Sequence, residues 1–310
     1  MIQVLFNAGP ELWETYEAPL AEALRATGLP FHVSTEIAPV EADYMVYAPH
    51  GARLDFAPYS RLKAVLSLWA GVETILGNDS LQVPLCRMVD PSLTDGMVEW
   101  VTGHVLRHHL GMDTHILGQD GVWRANSVPP LARDRRVTIL GLGALGQAAA
   151  QALVALNFRV TGWSRSPKDV EGVRCFSGPS GLHDALDGAE IVVLLLPQTP
   201  ETDNVLDGPA MARMAKGSFV INPGRGPLID DDALLAALES GQVGHATLDV
   251  FRTEPLPEAH AFWSHPNVTV TPHIASETRP VSASQMIAEN IRRGEAGLPF
   301  LNQVDLDAGY

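Results

Sequence analysis

The most informative segment of the chain reads Val137-Thr138-Ile139-Leu140-Gly141-Leu142-Gly143-Ala144-Leu145-Gly146, and a helical pattern follows over residues 148–156. An apolar strand, a G-x-G-x-x-G turn and a helix in this order indicate a dinucleotide-binding turn. Gly141 makes the tight turn, Gly143 lets the backbone approach a pyrophosphate, and Gly146 allows close packing of helix on strand. We expect the amide N–H groups that open the helix, those of Ala144 and Leu145, to face the anion.

This turn lies near the middle of a 310-residue chain, so a large segment precedes it. The length and a hydrophobic fraction of 46% are sufficient for about two domains, each with its own core. The 36 acidic and 21 basic residues give a formal net charge of -15, which disfavours non-specific binding to nucleic acid or to an anionic membrane. The longest apolar run, residues 191–196, is too short to span a bilayer and predicts a buried parallel strand.

The cysteines, the first residues and the histidines of the chain allow predictions about its cellular compartment and about metal binding. The two cysteines, Cys86 and Cys175, lack metal-type spacing, and we interpret them as reduced thiols of a cytoplasmic protein. Residues 1–6 lack a basic region and predict a first strand rather than a signal peptide. Four histidines lie close together in sequence without an accompanying set of acids or thiols, so no metal is predicted: they are His104, His108, His109 and His115.

Predicted strands and helices alternate along the chain, which is typical of α/β proteins with parallel sheets. In the first third, the predicted strands are 3–6, 31–34, 44–47 and 64–68, and the predicted helices are 11–27 and 54–62. After the glycine turn, the predicted strands are 159–162, 191–196, 218–221, 246–250 and 268–270, and the predicted helices are 181–186, 209–215 and 230–239.

Two long amphipathic helices suggest how the domains are connected. One is predicted over 93–117, with Ser92 or Thr94 as its N-cap, and it would lead from the first domain into the second. The other, over 280–293, is expected to pack on the N-terminal domain. We therefore predict a discontinuous substrate domain, residues 1–95 and 280–310, and a dinucleotide-binding domain, residues 96–279.

The strand that follows the glycine turn indicates which dinucleotide is bound. An acidic residue about 20 residues past the turn normally holds the ribose 2′-hydroxyl of NAD, but this strand ends in Ser164-Arg165-Ser166-Pro167-Lys168. Arg165 can grip a 2′-phosphate with a two-pronged, charge-assisted contact, and Ser164 and Ser166 can donate hydroxyl hydrogen bonds. The sequence thus predicts NADP as cofactor, with NADPH preferred over NADH.

Three reactive side chains each follow a predicted strand, at the sheet edge where open α/β sheets bind ligands. Arg225, in Asn222-Pro223-Gly224-Arg225-Gly226, can pair bidentately with a carboxylate. His273, in Thr271-Pro272-His273-Ile274-Ala275-Ser276, can carry a proton to or from an oxygen. Glu254, in the segment from Asp249 to Pro257, is the candidate carboxylate that favours the protonated imidazole.

The order of these segments resembles that of the D-isomer-specific 2-hydroxyacid dehydrogenases over nearly the whole chain. Residues 194–202, Leu-Leu-Leu-Pro-Gln-Thr-Pro-Glu-Thr, look like the family's nicotinamide-side loop. Residues 67–73, 87–90 and 163–166 look most like the glyoxylate/hydroxypyruvate reductase A branch.

The resemblance implies two doubly wound parallel-sheet domains, a Rossmann-type cofactor domain and a flavodoxin-like substrate domain, with a cleft between them. It implies that Arg225 binds the substrate carboxylate and carbonyl, that His273 is the acid/base and that Glu254 is its partner. Further residues are expected to contact the cofactor: Pro197, Thr199, Pro223 and Asp249.

On the substrate side, the resemblance implies that backbone N–H groups around Ala70-Gly71-Val72 hold the substrate carboxylate, with Trp69 as a wall of the pocket. It also implies a homodimer built on the region 93–117. The expected partners are therefore a small 2-keto acid and a second copy of the chain, with no nucleic acid and no membrane.

We expect NADPH-dependent reduction of a small 2-keto acid, such as glyoxylate or hydroxypyruvate, to the 2-hydroxy acid. A reductase of larger branched or aromatic 2-keto acids would use the same residues with different pocket walls. A non-enzymatic dinucleotide sensor built on this fold could also keep them, and NADPH consumption with glyoxylate would distinguish it from an enzyme. An enzyme that binds a methyl donor is disfavoured by Arg165 and by the three catalytic candidates.

Overall fold

The computed structural model describes residues 1–305 and shows two compact units. One comprises Met1–Leu93 with the chain from Glu277 on, and the other is Thr94–Ser276. The domain boundaries predicted from sequence, after residue 95 and before residue 280, lie two and three residues from these. The roles assigned to the two domains stay predictions at this point.

Twelve strands and eight α-helices are formed within the described residues. The strands are β1 (Ile2–Asn7), β2 (Phe31–Ser34), β3 (Tyr44–Tyr47), β4 (Ala64–Ser67), β5 (Leu85–Cys86), β6 (Arg136–Leu140), β7 (Arg159–Ser164), β8 (Val173–Ser177), β9 (Ile191–Leu194), β10 (Ser218–Asn222), β11 (Val243–Leu248) and β12 (Val268–Val270). The helices are α1 (Pro10–Ala26), α2 (Pro91–His109), α3 (Met112–Ile116), α4 (Ala144–Ala155), α5 (Gly178–Leu186), α6 (Gly208–Arg213), α7 (Asp231–Glu239) and α8 (Pro280–Glu295).

The first unit is built on a five-stranded parallel sheet in the order β2-β1-β3-β4-β5. All residues of β3 and β4 are buried, as expected for central strands that are covered on both faces. Helix α8 packs against α1, and Ile287 and Ile291 share a core with Leu20 and Val4. The predicted packing of the last helix on the N-terminal domain is confirmed.

The second unit is built on a seven-stranded parallel sheet in the order β12-β11-β10-β9-β6-β7-β8. The strand order reverses between β6 and β9, which is the topological switch point where such sheets bind ligands. Two hydrophobic cores contain the side chains of this sheet; one includes Val192 and Val220, and the other Ile139 and Val193. The predicted α/β fold with two parallel sheets is confirmed.

Two of the predicted helices differ most from the structure, one in its existence and one in its continuity. Residues 54–62 form turns, because side chains bind the backbone there: Asn78 donates to the carbonyl of Leu54 at 2.7 Å, and Ser80 accepts from the amide of Phe56 at 2.9 Å. The helix predicted over 93–117 is interrupted after α2, because Gly111 adopts a left-handed φ of 61° before α3 begins. Asp90, rather than Ser92 or Thr94, caps α2, since its Oδ1 accepts from the amide of Leu93 at 3.0 Å.

Several strand limits also differ from the prediction. The strands β5 and β8 were not predicted; β5 has only two residues, and β8 is an edge strand whose residues are at most half-buried. The run 191–196 leaves the sheet after Leu194, and the strand expected over 246–250 is β11, which begins three residues earlier. Among residues 1–305, no helix has both the length and the apolar character needed to cross a membrane.

Candidate active site

The three glycines of the turn after β6 meet different surroundings. Gly141 has a φ of 111°, and a Cβ there would lie 2.5 Å from the carbonyl oxygen of Leu195. A Cβ on Gly146 would lie 1.8 Å from the carbonyl oxygen of Gly141. A Cβ on Gly143 would meet nothing within 4 Å. The fold itself therefore requires the first and third glycines, whereas the space beside the second is open to a ligand.

The N-terminus of α4 adjoins this open space. Gly143 is the N-cap residue, and no side chain caps the helix. Amide N–H groups in the first turn of a helix have no intrahelical acceptor, and together with the helix dipole they attract an anion. Ala144 and Leu145 are the first residues of this turn. The glycine turn, at the switch point of the sheet, fits the pyrophosphate of a dinucleotide.

The loop after β7 contains the residues predicted to hold a 2′-phosphate. Ser164 is buried, and its hydroxyl donates to the carbonyl of Ser166 at 2.8 Å, so this hydroxyl shapes the loop. The contact predicted between Ser164 and the 2′-phosphate stays a prediction. The side chains of Arg165 and Ser166 are exposed. Hydrogen bonds from its own backbone and from Thr199 lower the pKa of Glu201, and the Arg165 guanidinium acts in the same direction. The charge of Arg165 therefore acts on Glu201, which belongs to the loop predicted to lie on the nicotinamide side.

That nicotinamide-side loop is held together by a residue that the sequence interpretation did not single out. Thr202 is buried; its hydroxyl donates to the carbonyl of Pro197 at 2.7 Å and accepts from the amide of Thr199 at 2.8 Å. One hydroxyl thus fixes both residues predicted to contact the cofactor in this loop. Its signal in the sequence is weak, because threonine three residues after threonine is common in loops.

The loop that carries Arg225 follows β10 and is tightly constrained. Buried Asn222 donates to the carbonyl of Arg225 at 2.9 Å and accepts from the amide of Gly224 at 3.1 Å. A Cβ on Gly224 would lie 2.8 Å from the carbonyl oxygen of Leu194, so the loop backbone is packed against the end of β9. Pro223 is buried and Arg225 is half-buried, with its Nη1 donating to the carbonyl of Gly224 at 2.7 Å.

The structure brings Glu254 and His273 together across two loops. The imidazole Nδ1 of His273 lies 2.7 Å from Oε2 of Glu254, and the amide of Phe251 donates to Oε1 of the same carboxylate at 2.8 Å. Both side chains of the pair reach solvent, with exposed fractions of 52% for His273 and 35% for Glu254. Because Glu254 engages Nδ1, proton exchange with a substrate falls to Nε2 of His273.

A buried carboxylate organises the loop that carries His273. Asp249, which is 0% exposed, accepts from the hydroxyl of Thr271 at 2.5 Å, from the amide of Ile274 at 2.9 Å and from the amide of Ala275 at 2.8 Å. His273 lies between these anchor points with a left-handed φ of 56°, and its amide donates to the carbonyl of Asp249 at 2.8 Å. The cofactor contact predicted for Asp249 stays a prediction; the bonds that the structure gives it are to this loop.

The residues predicted to hold the substrate carboxylate belong to the first unit. Trp69 follows β4 and is 43% exposed, and Ser67 fixes its backbone: Ser67 Oγ accepts from the amide of Trp69 at 3.0 Å and donates to its carbonyl at 3.1 Å. Ala70 and Gly71 come next and are half-buried. Their role toward the substrate stays a prediction.

The histidines of α2 are used in packing. His108 is buried, stacks on Phe219 with ring centroids 4.7 Å apart, and has its Nε2 2.9 Å from the hydroxyl of Thr247. Burial, together with nearby His245 and Arg107, lowers the pKa of His108 to about 3. In residues 1–305, no three side chains of the metal-binding types are grouped so that they could hold an ion.

Comparisons with known proteins find relatives in both sequence and fold. Residues 102–275 match the family model described as D-isomer specific 2-hydroxyacid dehydrogenase, NAD binding domain. A glyoxylate/hydroxypyruvate reductase A from Serratia proteamaculans is 43% identical over 279 residues, which cover 87% of this chain and 88% of that protein.

Solved crystal structures are also similar over essentially the whole chain, as two examples show. A D-isomer specific 2-hydroxyacid dehydrogenase from Xanthobacter autotrophicus, in complex with NADPH and MES, has a TM-score of 0.91 and 42% identity, covering 100% of this chain and 99% of that one. An NADPH-dependent glyoxylate/hydroxypyruvate reductase from Sinorhizobium meliloti, in complex with NADP and sulfate, has a TM-score of 0.89 and 36% identity, covering 100% of both chains. With this agreement in sequence and fold, the chain belongs to the D-isomer-specific 2-hydroxyacid dehydrogenase family, whose members are enzymes that bind NAD or NADP.

Proposed function

We propose that this protein reduces small 2-keto acids, glyoxylate and hydroxypyruvate foremost, to the corresponding 2-hydroxy acids with NADPH. The observation that carries the proposal is the pair of Glu254 and His273, whose facing atoms lie 2.7 Å apart at a sheet edge with a dinucleotide-binding turn. The relatives from Serratia proteamaculans and Sinorhizobium meliloti, which bear this activity in their names, support the choice of substrate.

Each catalytic candidate has a role that its chemistry supports. His273 gives the proton on its Nε2 to the keto oxygen, and the carboxylate of Glu254 stabilises the protonated ring before this transfer. Arg225 pairs with the substrate carboxylate and stabilises the negative charge that develops on the keto oxygen. C2 would gain the hydride that NADPH supplies, which leaves NADP+, and the keto oxygen gains the proton of His273.

The proposed cofactor contacts follow the edge of the seven-stranded sheet. The pyrophosphate would be held by the turn of Gly141, Gly143 and Gly146 and by the first amides of α4, and the 2′-phosphate would be held by Arg165 with Ser164 and Ser166. Bound NADPH supplies the hydride. Pro197, Thr199, Pro223 and Asp249 are the residues we propose on the nicotinamide side, and Trp69, Ala70 and Gly71 are those we propose for the substrate.

A panel of initial-rate measurements tests this function. Glyoxylate, hydroxypyruvate, pyruvate and a bulky branched 2-keto acid are each assayed with NADPH and with NADH. We expect the highest kcat/KM for glyoxylate or hydroxypyruvate with NADPH. A higher kcat/KM for the branched acid would assign the chain to larger substrates, and no NADPH consumption with any acid would favour a dinucleotide sensor.

The variant that tests the catalytic role of His273 is His273→Asn. Asparagine tolerates the left-handed φ of 56° at this position, so the loop conformation is retained while the acid is removed. General acid catalysis contributes roughly 10²- to 10⁴-fold, and we expect kcat to fall by that factor while NADPH still binds. Full turnover in this variant would exclude His273 as the acid.

We also propose that the protein is a homodimer. The region 93–117, predicted to carry the dimer, overlaps at residues 110–117 with a longer segment, 110–131, that is rich in exposed apolar side chains. These large side chains are exposed in the single chain: Leu110, Met112, Ile116, Leu117, Val122, Trp123, Val128 and Leu131. Trp123 is 93% exposed, and concentrated apolar exposure of this kind is typical of a surface that another protein covers. Sedimentation velocity tests this: Val128→Asp should give monomers, whereas Val40→Asp, at another exposed valine, should leave the dimer intact.

The cytoplasmic location predicted from the sequence remains a proposal. Both cysteines are free, and burial raises the pKa of the Cys86 thiol to about 12, so this thiol is unreactive at neutral pH. Free thiols of this kind agree with a reducing compartment. Fractionation of cells that express the protein tests the location directly.

A further inference from the structure

One guanidinium bridges three loops at the sheet edge that carries the catalytic candidates. Arg252 lies two residues before Glu254, in the loop after β11. Its Nη2 donates to the carbonyl of Ile229 at 2.5 Å, to the carbonyl of Pro227 at 3.2 Å and to the side-chain oxygen of Asn204.

The same side chain is flanked by two carboxylates. Its Nη1 lies 3.4 Å from Oδ1 of Asp203, and its Nε lies 3.8 Å from Oδ1 of Asp231. Burial raises the pKa of Asp231, and the charge of Arg252 opposes that rise. The guanidinium therefore neutralises a half-buried acid as well as binding backbone carbonyls.

Two of the bridged segments carry catalytic candidates. Pro227 and Ile229 come two and four residues after Arg225. A Cβ on Gly226 would lie 1.9 Å from the carbonyl carbon of Phe251, so the loops of Arg225 and Glu254 touch backbone to backbone. Phe251 in turn donates its amide to Glu254. Arg252 thus joins the loop of Glu254 to the loop of Arg225 at their point of contact.

We propose that Arg252 is a positioning residue, which holds the loop of Glu254 against the loop of Arg225 and acts on His273 through Glu254. This inference rests on the proposed reductase function. The planar guanidinium of arginine has five N–H donors and can bind several carbonyls and carboxylates at once. The ammonium group of lysine is a compact charge at the end of a flexible side chain and cannot span the same set of acceptors. Exposed ion pairs alone contribute little to stability, so the expected effect is on geometry rather than on folding.

The test compares Arg252→Lys with Arg213→Lys. Arg213 is a matched control, because its Nε donates to the carbonyl of His183 at 3.1 Å and its Nη2 lies 3.5 Å from Asp187, but it touches neither catalytic loop. A displacement of about 1 Å costs on the order of 10²-fold in rate. We expect kcat with glyoxylate to fall about 10- to 100-fold in Arg252→Lys, with KM changed less than about threefold, and to stay at the wild-type value in Arg213→Lys.

A double-mutant cycle separates action through Glu254 from a general structural effect. In a Glu254→Gln background, Arg252→Lys should lower kcat by less than about threefold, because the carboxylate that it positions is already absent. Equal losses in both backgrounds, or a wild-type kcat in Arg252→Lys, would overturn the proposal.

Amide hydrogen exchange provides a readout that does not depend on activity. The segment 251–254 should exchange faster in Arg252→Lys than in the wild type and in Arg213→Lys, because the amide of Phe251 loses its fixed acceptor. Unchanged exchange would overturn the positioning role. If the wild type reduced no 2-keto acid, the proposed function would fail, and the exchange measurement would still decide whether Arg252 fixes this loop.

Discussion

Glu254 holds His273 with one carboxylate oxygen and its own loop with the other. Oε2 lies 2.7 Å from Nδ1 of the imidazole, and Oε1 accepts from the amide of Phe251 at 2.8 Å. A carboxylate that is anchored through its second oxygen in this way fixes the ring orientation and places a negative charge beside it. The position of the proton-donating ring therefore depends on the conformation of the loop that carries Glu254.

Replacing Glu254 by glutamine should lower the rate of reduction. Glutamine removes the negative charge beside the imidazole that donates the proton, and a charge-assisted hydrogen bond contributes about 1.5–3 kcal/mol. We therefore expect kcat with glyoxylate to fall about 10- to 150-fold. Initial rates measure this, with Glu258→Gln, at an exposed acid four residues on, as control. A wild-type kcat in Glu254→Gln would remove Glu254 from its role.

Reversing the charge of Arg165 should change the cofactor preference. Arg165→Asp places a carboxylate where the 2′-phosphate is proposed to bind, so the ratio of kcat/KM for NADPH to that for NADH should fall about 100-fold or more. Arg159→Asp is the matched control. This exposed arginine is the first residue of β7, and the last residue of that strand, Ser164, is roughly 17 Å from it and precedes Arg165. An unchanged ratio in Arg165→Asp would exclude the assigned role.

Alanine should affect cofactor binding at one of the turn glycines and thermal stability at another. Gly143 has a φ of -75° and open space around it, so Gly143→Ala should fold with an unchanged Tm and bind NADPH at least about tenfold more weakly. Gly141→Ala should lower Tm, because φ is 111° there and the Cβ would meet the backbone of Leu195. Thermal unfolding and NADPH titration measure both effects. Wild-type NADPH affinity in Gly143→Ala would contradict the proposed pyrophosphate site.

Asp249→Asn should destabilise the conformation of the loop that carries His273. The amide group that replaces one carboxylate oxygen is a donor, so the amide of Ala275 or of Ile274 loses its acceptor, at a cost of about 1–3 kcal/mol. We expect a lower free energy of unfolding in urea and a lower kcat. Asp207→Asn is the control, because that carboxylate caps α6 and asparagine caps a helix equally well. Equal stabilities of the two variants would contradict this role for Asp249.

The buried histidines should make folding sensitive to acid. Burial lowers the pKa of His108 to about 3 and that of His245 to about 4. Both values lie below the ordinary value of about 6.5, so as the pH falls the unfolded chain takes up protons first. Each histidine then removes about 1.4 kcal/mol of unfolding free energy per pH unit, from about pH 6.5 down to its folded pKa.

Urea unfolding at pH 7.5 and pH 5.0 measures this effect. His245→Asn should reduce the acid-induced loss of unfolding free energy by about 2 kcal/mol relative to the wild type. His32→Asn, at an exposed histidine of β2, should leave the loss unchanged. The same loss in His245→Asn as in the wild type would show that His245 is not kept neutral by the fold.

The sequence alone determined the fold class, the glycine turn and the identity of the three catalytic candidates. Strand periodicity, the G-x-G-x-x-G spacing and strand-end positions are local properties, and the carboxyl ends of parallel strands meet at one edge of a sheet. Residues 54–62 were misjudged for the opposite reason, because bonds from distant Asn78 and Ser80 override the local helical pattern there.

Tertiary structure alone decided which side chains support the catalytic candidates. Asp249 and Arg252 make their hydrogen bonds to residues that lie from 22 to 49 positions away in sequence, and no spacing rule connects such positions. The length of the 2.7 Å contact between Glu254 and His273 likewise depends on how two loops pack. Local pattern selects residue types, whereas hydrogen-bond geometry depends on the path of the whole chain.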